Sequence, residues 1–93
     1  MVIGLLSLEI HFPYSQSLKD KRKELNSLKD RIRQKYNVAL AELDYQDTWQ
    51  RTKLGIVTLN SRPAVVENIL AKILRDVENH VNGDVLKADI LFY

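Results

Sequence analysis

The chain has 93 residues, a net charge of +2 and a composition ordinary for a soluble protein, with 45% hydrophobic and 28% charged residues. This length predicts one domain over residues 1–93, with one modest core. The absence of cysteine excludes disulfides, zinc–thiolate sites and thiol catalysis, and it is typical of a cytoplasmic protein.

The first half of the chain predicts a strand, a helix and a second strand. Apolar residues alternate over Val2–Phe12, which favours a strand, and no basic segment of a signal peptide precedes them. Ser17 followed by Asp20 resembles a capping box, and it predicts a helix that ends near Lys35. Val38–Asp44 is predicted as the second strand. The predicted inward stripe of the helix comprises Leu18, Leu25, Leu28 and Ile32.

The second half predicts a strand, a helix and a final strand. A turn over Tyr45–Arg51 leads to a third strand over Lys53–Leu59. We expect Ser61 to cap a second helix, and Asn82-Gly83 to end it as glycine commonly ends helices. Pro63 suits the first turn of this helix, and its predicted core stripe comprises Val66, Ile69, Ile73 and Val77.

The order of elements determines the fold class. Val85–Tyr93 alternates again and completes the order β-α-β-β-α-β, which predicts an α+β, ferredoxin-like two-layer sandwich. Right-handed crossovers give a four-stranded antiparallel sheet with both helices on one face. The other face stays open, and its apolar residues indicate self-association as a homodimer. These residues are Ile3, Leu5, Val57, Leu91 and Tyr93.

This topology brings polar and aromatic residues to one end of the sheet, which we term the pole. The first two strands and the second helix end at the pole, and the first helix and third strand begin there. The opposite end has no comparable set. The residues expected at the pole are Glu9, His11, Lys19, Lys21, Arg22, Glu42, Asp44, Asp47, Trp49, Arg51 and His80.

The basic character of the chain belongs to the first helix. Residues 17–36 contain eight basic and three acidic residues, a local charge of +5. Such a patch attracts phosphate or an acidic protein surface, although a charged helix flank is often only a solvated face. The predicted RNA or phosphate contacts are Lys19, Lys21, Arg22, Lys23 and Arg51.

Lys21 lies inside the apolar stripe of this helix. A buried lysine needs a charged partner or a route to water. One interpretation is a structural ion pair with Glu9 or Glu42. The other is that Lys21 presents its charge to a ligand phosphate beside the helix N-terminus.

Trp49 is the only tryptophan and lies in the predicted turn. It either folds back over the core as a lid or stays exposed to stack on a base or anchor a protein interface. In the second case the anchor comprises Trp49, Gln50 and Asp47. Base stacking of the RNA-recognition-motif kind is not expected, because Lys53–Leu59 has no aromatic residue.

The chain contains no nucleophile elbow, phosphate loop or dinucleotide fingerprint. We therefore predict a non-enzymatic protein with no cofactor, no metal and no small-molecule ligand. No segment is long and apolar enough to predict a membrane partner. A minor alternative is a metal-dependent enzyme that uses Glu9, His11, Glu42 and Asp47, although their spacing is not diagnostic.

Three segments resemble the YlxP-like family of small bacterial proteins, which is grouped as a domain of unknown function. They are Ser17–Arg22, Asn37–Glu42 and Asp47–Gly55, in an order and spacing similar to the family's over essentially the whole chain. The resemblance implies the ferredoxin-like fold and no catalytic residue. Genes of this family commonly lie beside genes for translation initiation and ribosome maturation, which implies a role near the ribosome or its RNA.

The leading prediction is therefore a small cytoplasmic binding module that docks on ribosomal RNA or a ribosomal subunit. The alternative is a homodimeric protein–protein adaptor or regulator that uses the open sheet face.

Overall fold

The computed structural model describes all 93 residues and contains six elements in the predicted order. The strands form one antiparallel sheet in the order β2-β3-β1-β4, with both helices packed against one face. The α+β, ferredoxin-like prediction is thus confirmed. The elements are β1 (Val2–His11), α1 (Leu18–Lys35), β2 (Ala39–Asp44), β3 (Arg51–Asn60), α2 (Pro63–His80) and β4 (Asp84–Phe92).

The core lies between the sheet and the helices. Every second residue of β1 from Leu6 is fully buried, and the residues between them point to the open face. In α2 the buried stripe contains Leu70, while the predicted Ile69 is only partly buried. Neither helix is long and apolar enough to span a membrane. The core comprises Leu6, Leu8, Ile10, Phe12, Leu25, Leu28, Ile32, Leu54, Ile56, Val66, Leu70, Ile73 and Val77.

The two helices begin in different ways. Ser17 Oγ accepts a hydrogen bond from the Asp20 N–H at 3.1 Å, as a capping box requires. The Asp20 carboxylate accepts from the N–H of Gln16 at 3.0 Å, one residue before the cap. The prediction that Ser61 caps α2 is wrong, because the N-cap is Arg62 and has no side-chain capping bond.

The end of α2 also differs from the prediction. The helix ends at His80, and Val81 donates its N–H to the Val77 carbonyl at 2.9 Å. Gly83 does not have a positive φ, so it does not end the helix as a left-handed residue. It is needed for close packing instead, since a Cβ at Gly83 would lie 2.2 Å from the His11 carbonyl oxygen.

Candidate functional site at one end of the sheet

The pole is assembled by contacts between two loops. The turn from Tyr45 to Gln50 lies against the loop that joins β1 to α1, and Phe12 donates its N–H to the Gln50 carbonyl at 2.8 Å. The Gln50 side-chain amide donates to the carbonyl oxygens of Pro13 and Ser15, at 3.3 and 3.0 Å. Gln50 therefore connects the two loops through hydrogen bonds. The sequence analysis predicted it instead as part of a binding anchor with Trp49 and Asp47.

Lys21 is committed to an internal ion pair. Its side chain is only 2% exposed, and Nζ lies 3.0 Å from Oε2 of Glu42. Nζ also donates to the Tyr45 carbonyl, and Thr52 Oγ1 donates to the same Glu42 oxygen at 2.7 Å. Glu9 is excluded as the partner because it lies between buried Leu8 and Ile10 and therefore points to the open face.

Glu9 forms a second polar cluster on that open face. Its Oε1 accepts from the Tyr45 hydroxyl at 3.2 Å and from Arg51 Nη2 at 3.4 Å. The guanidinium carbon of Arg51 lies 4.4 Å from the centre of the Tyr45 ring, within cation–π range. The hydrogen bond to Glu9 raises the pKa of Tyr45. Arg51 is thus already engaged, although its buried Nε has no acceptor.

Tyr45 connects these two clusters and has a strained backbone. Its φ of 64° lies in the left-handed region, which is unfavourable for a bulky aromatic residue. Asp44 accepts the Tyr45 N–H at 2.7 Å, and Thr48 donates to the Tyr45 carbonyl at 3.0 Å. These bonds fix the turn that carries Asp47 and Trp49.

Three cations at the start of α1 remain free. Lys19, Arg22 and Lys23 are exposed, and none lies within ion-pair distance of a carboxylate. Trp49 is 54% exposed, so it is not a lid on the core. Asp47 is also exposed. The turn that carries Trp49 bonds to α1 through the Tyr45 carbonyl, so it lies at the same end of the sheet as the free cations.

The residues of the metal-enzyme alternative do not converge. Glu9 and Glu42 lie on opposite faces of the sheet, and no group of three His, Asp or Glu side chains could hold a metal ion. His11 Nδ1 lies 3.7 Å from a carboxylate oxygen of Asp84. His80 contacts Asp76 at 2.9 Å and takes part in a different cluster.

That cluster surrounds Asp76, which sequence reasoning missed. Burial of Asp76 opposes its ionisation, but hydrogen bonds from Arg31 and Lys35 outweigh this effect and lower its pKa to about 2. The hydrogen bond between Lys35 and Asp76 raises the pKa of Lys35. The available signal was an acidic residue inside the apolar stripe of α2. The donors around Asp76 are Arg31 Nε at 2.9 Å, Lys35 Nζ at 3.0 Å, Tyr36 OH at 3.3 Å and His80 Nδ1 at 2.9 Å.

Comparison with known proteins gives the family without an activity. The profile of a family described as "Protein of unknown function (DUF503)" matches residues 3–90. An uncharacterized protein of Bacillus subtilis (strain 168), YlxP, is 36% identical over 78 residues, which are 84% of this chain and 85% of that protein. The chain therefore belongs to the YlxP-like DUF503 family, whose function is unknown.

Proposed function

We propose that this protein is a small, non-enzymatic binding module that docks on ribosomal RNA in the cytoplasm through its pole. The observation that carries this proposal is the difference between paired and free cations. Lys21 and Arg51 are neutralised by carboxylates within the molecule, whereas Lys19, Arg22 and Lys23 are exposed and unpaired. The same end of the sheet carries the half-exposed Trp49.

The geometry suits a phosphate backbone. Residues 19, 22 and 23 are neighbours on the helix surface, because side chains three and four positions apart project from the same side. The positive end of the helix dipole favours an anion at the same place. Trp49 adds a ring on which an unpaired base can stack, and stacking requires no particular sequence.

The rival function is a protein–protein adaptor that dimerises through the open sheet. The observation in its favour is that Leu59 and Leu91 are about half exposed on or beside that face. Salt separates the two functions. Three phosphate contacts predict RNA binding that weakens about 30-fold between 50 and 200 mM salt, whereas an apolar interface persists.

The test is co-sedimentation of the purified chain with ribosomal subunits across a salt series. We expect salt-sensitive binding that is lost in an Arg22→Glu, Trp49→Ala double variant. Lys72→Glu is the matched control, since Lys72 is an exposed, unpaired cation on α2. It makes the same change of charge away from the pole and is expected to leave most binding intact.

Two outcomes would contradict the proposal. The first is no binding to subunits or to free ribosomal RNA at low salt. The second is an equal loss of binding in Lys72→Glu, since that result would reflect overall charge and not a located site. Circular dichroism confirms that each variant is folded before binding is compared.

A further inference from the structure

The open face of the sheet divides into two halves along the strands. Toward the end away from the pole, cross-strand pairs place Ala39, Val57, Leu5 and Leu91 in one row. The next row contains Leu59, Ile3 and Tyr93. Leu91, Leu59 and Tyr93 are 47%, 60% and 71% exposed. We term these two rows the apolar half.

We propose that a second copy of this chain covers the open face, related by a two-fold axis that runs parallel to the strands between β3 and β1. Such an interface is isologous, so the same surface must complement itself. Rotation about this axis keeps each row opposite the same row of the partner. It also reverses the strand order, so that β4 of one copy lies over β2 of the other.

The shape of the face meets this requirement. A hollow of about 200 Å³ lies over β2 and β3, where Ala39 and Ala41 have small side chains and the Leu43 side chain lies over Gly55 as one wall. Leu91 projects from β4 in the same row as Ala39, at the opposite side of the sheet. The two-fold axis therefore sets the Leu91 side chain of each copy against the hollow of the other.

One row of charges in the other half is also self-complementary. Reading across the sheet from β2 to β4, one row contains Asp44, Lys53, Glu9 and Lys87, which alternate in sign. Reversing this order places Asp44 opposite Lys87 of the second copy and Lys53 opposite Glu9 of the second copy. An axis perpendicular to the strands would instead place this row against the apolar half, where its four charges would lose water without gaining partners. Asp89 of the central row lies opposite Ala41 of the second copy, and it keeps its ion pair with Lys87 at 3.8 Å.

The area requires both halves. Four strands about 4.8 Å apart, with a rise of about 3.3 Å per residue, give a projected face of roughly 550 Å² per copy. Full coverage therefore removes at least about 1,100 Å² in total, which clears the roughly 1,000 Å² expected of a biological interface, whereas the apolar half alone does not. The strands of two packed sheets lie within about 30° of each other, so each row of residues faces the same row of the second copy.

The dimer places both poles at the same end, with the helices on the outside. It leaves the first turns of α1, which lie on the helix side of the sheet, uncovered, so Lys19, Arg22 and Lys23 stay accessible in the dimer. Either proposal can fail without affecting the other.

The test is sedimentation velocity over a dilution series, with single and swapped variants of one contact. Leu91→Ala removes the projecting side chain, and Ala39→Leu fills the hollow. Each change occurs at two symmetry-related contacts, so we expect each to weaken the dimer about 100-fold. The Ala39→Leu, Leu91→Ala double variant exchanges the two shapes and is expected to recover most of the affinity.

Tyr14→Ala is the control, because Tyr14 is 76% exposed but lies on the helix side of the molecule, beside Lys23 and Glu24 of α1. It is expected to leave the dimer unchanged. A protein that stays monomeric up to about 1 mM would overturn the proposal. A dimer that tolerates both single changes, or that the swapped variant fails to restore, would overturn the proposed axis.

Discussion

Lys21 and Asp76 are two buried charges that interrupt the apolar stripes of their helices, and they are stabilised in opposite ways. Lys21 depends on one carboxylate, that of Glu42, which is itself mostly buried. Asp76 is surrounded by Arg31, Lys35 and His80, each of which remains partly exposed. A charged residue inside an apolar helix stripe therefore leads to two different outcomes. Lys21 forms a single ion pair beside the sheet, and Asp76 is shared by several cations between the helices.

The difference lies in what happens when a partner is removed. The side chains of Arg31 and Lys35 are 42% and 57% exposed, so either can return to water if its contact with Asp76 is lost. Lys21 has no such route, because its side chain is 2% exposed. A buried charge that loses its only counter-charge is far more destabilising than an exposed one.

The largest expected effect follows from breaking the single pair. Glu42→Ala leaves Lys21 charged and buried, and we expect it to lower the free energy of unfolding by about 3–5 kcal/mol. The Lys21→Met, Glu42→Leu double variant removes both charges and is expected to recover most of that loss. Urea denaturation of the three proteins measures the difference.

Glu67→Ala is the control for this comparison, since Glu67 is an exposed glutamate of α2 and should change stability by less than about 0.5 kcal/mol. A double variant as unstable as Glu42→Ala would show that packing around these side chains, and not the buried charge, determines the loss.

The fold and the Lys21 pair could largely be predicted from the sequence, because both follow from local periodicity. Alternation in β1 places Leu8 and Ile10 in the core, so the same rule assigns Glu9 to the open face and leaves Glu42 as the partner. Strand parity thus decides between two carboxylates that composition alone leaves equivalent.

The Asp76 cluster and the strained turn could not be predicted in the same way. Arg31 precedes Asp76 by 45 residues, and their contact depends on how far one helix is shifted along the other. No local pattern encodes that shift. Tyr45 adopts a left-handed conformation that sequence rules assign to glycine or asparagine. Its carbonyl accepts hydrogen bonds from Lys21 and Thr48, and its N–H donates to Asp44.

The next effect tests Asp76 through pH. Its pKa is about 2 in the folded protein against an ordinary value of 3.8, so folding favours the ionised carboxylate. The stabilisation is present above pH 3.8 and is lost as the pH falls through 2. It amounts to about 2 kcal/mol. Asp76→Asn should be less stable than the parent at pH 6, by about that amount, and nearly equal to it at pH 2.

Urea denaturation of the parent protein and of Asp76→Asn, at several pH values between 2 and 6, measures this difference in stability. Other carboxylates titrate in the same range, so the difference between the two proteins is the quantity of interest. A difference that stays constant over this range would mean that the proton affinity of Asp76 is not altered by folding.

The smallest single effects are expected at the cations around Asp76. Arg31→Met should lower the free energy of unfolding by less than about 1 kcal/mol, because Lys35 still neutralises the carboxylate. Lys35→Met changes an exposed side chain and should lower it only slightly, because Arg31 remains. The double variant should lose more than the sum of the two, since Asp76 then keeps only His80 and Tyr36. Simple additivity would instead mean that the two contacts act independently. The Asp76 cluster would then be a set of separate pairs, each as dependent on one partner as Lys21 is on Glu42.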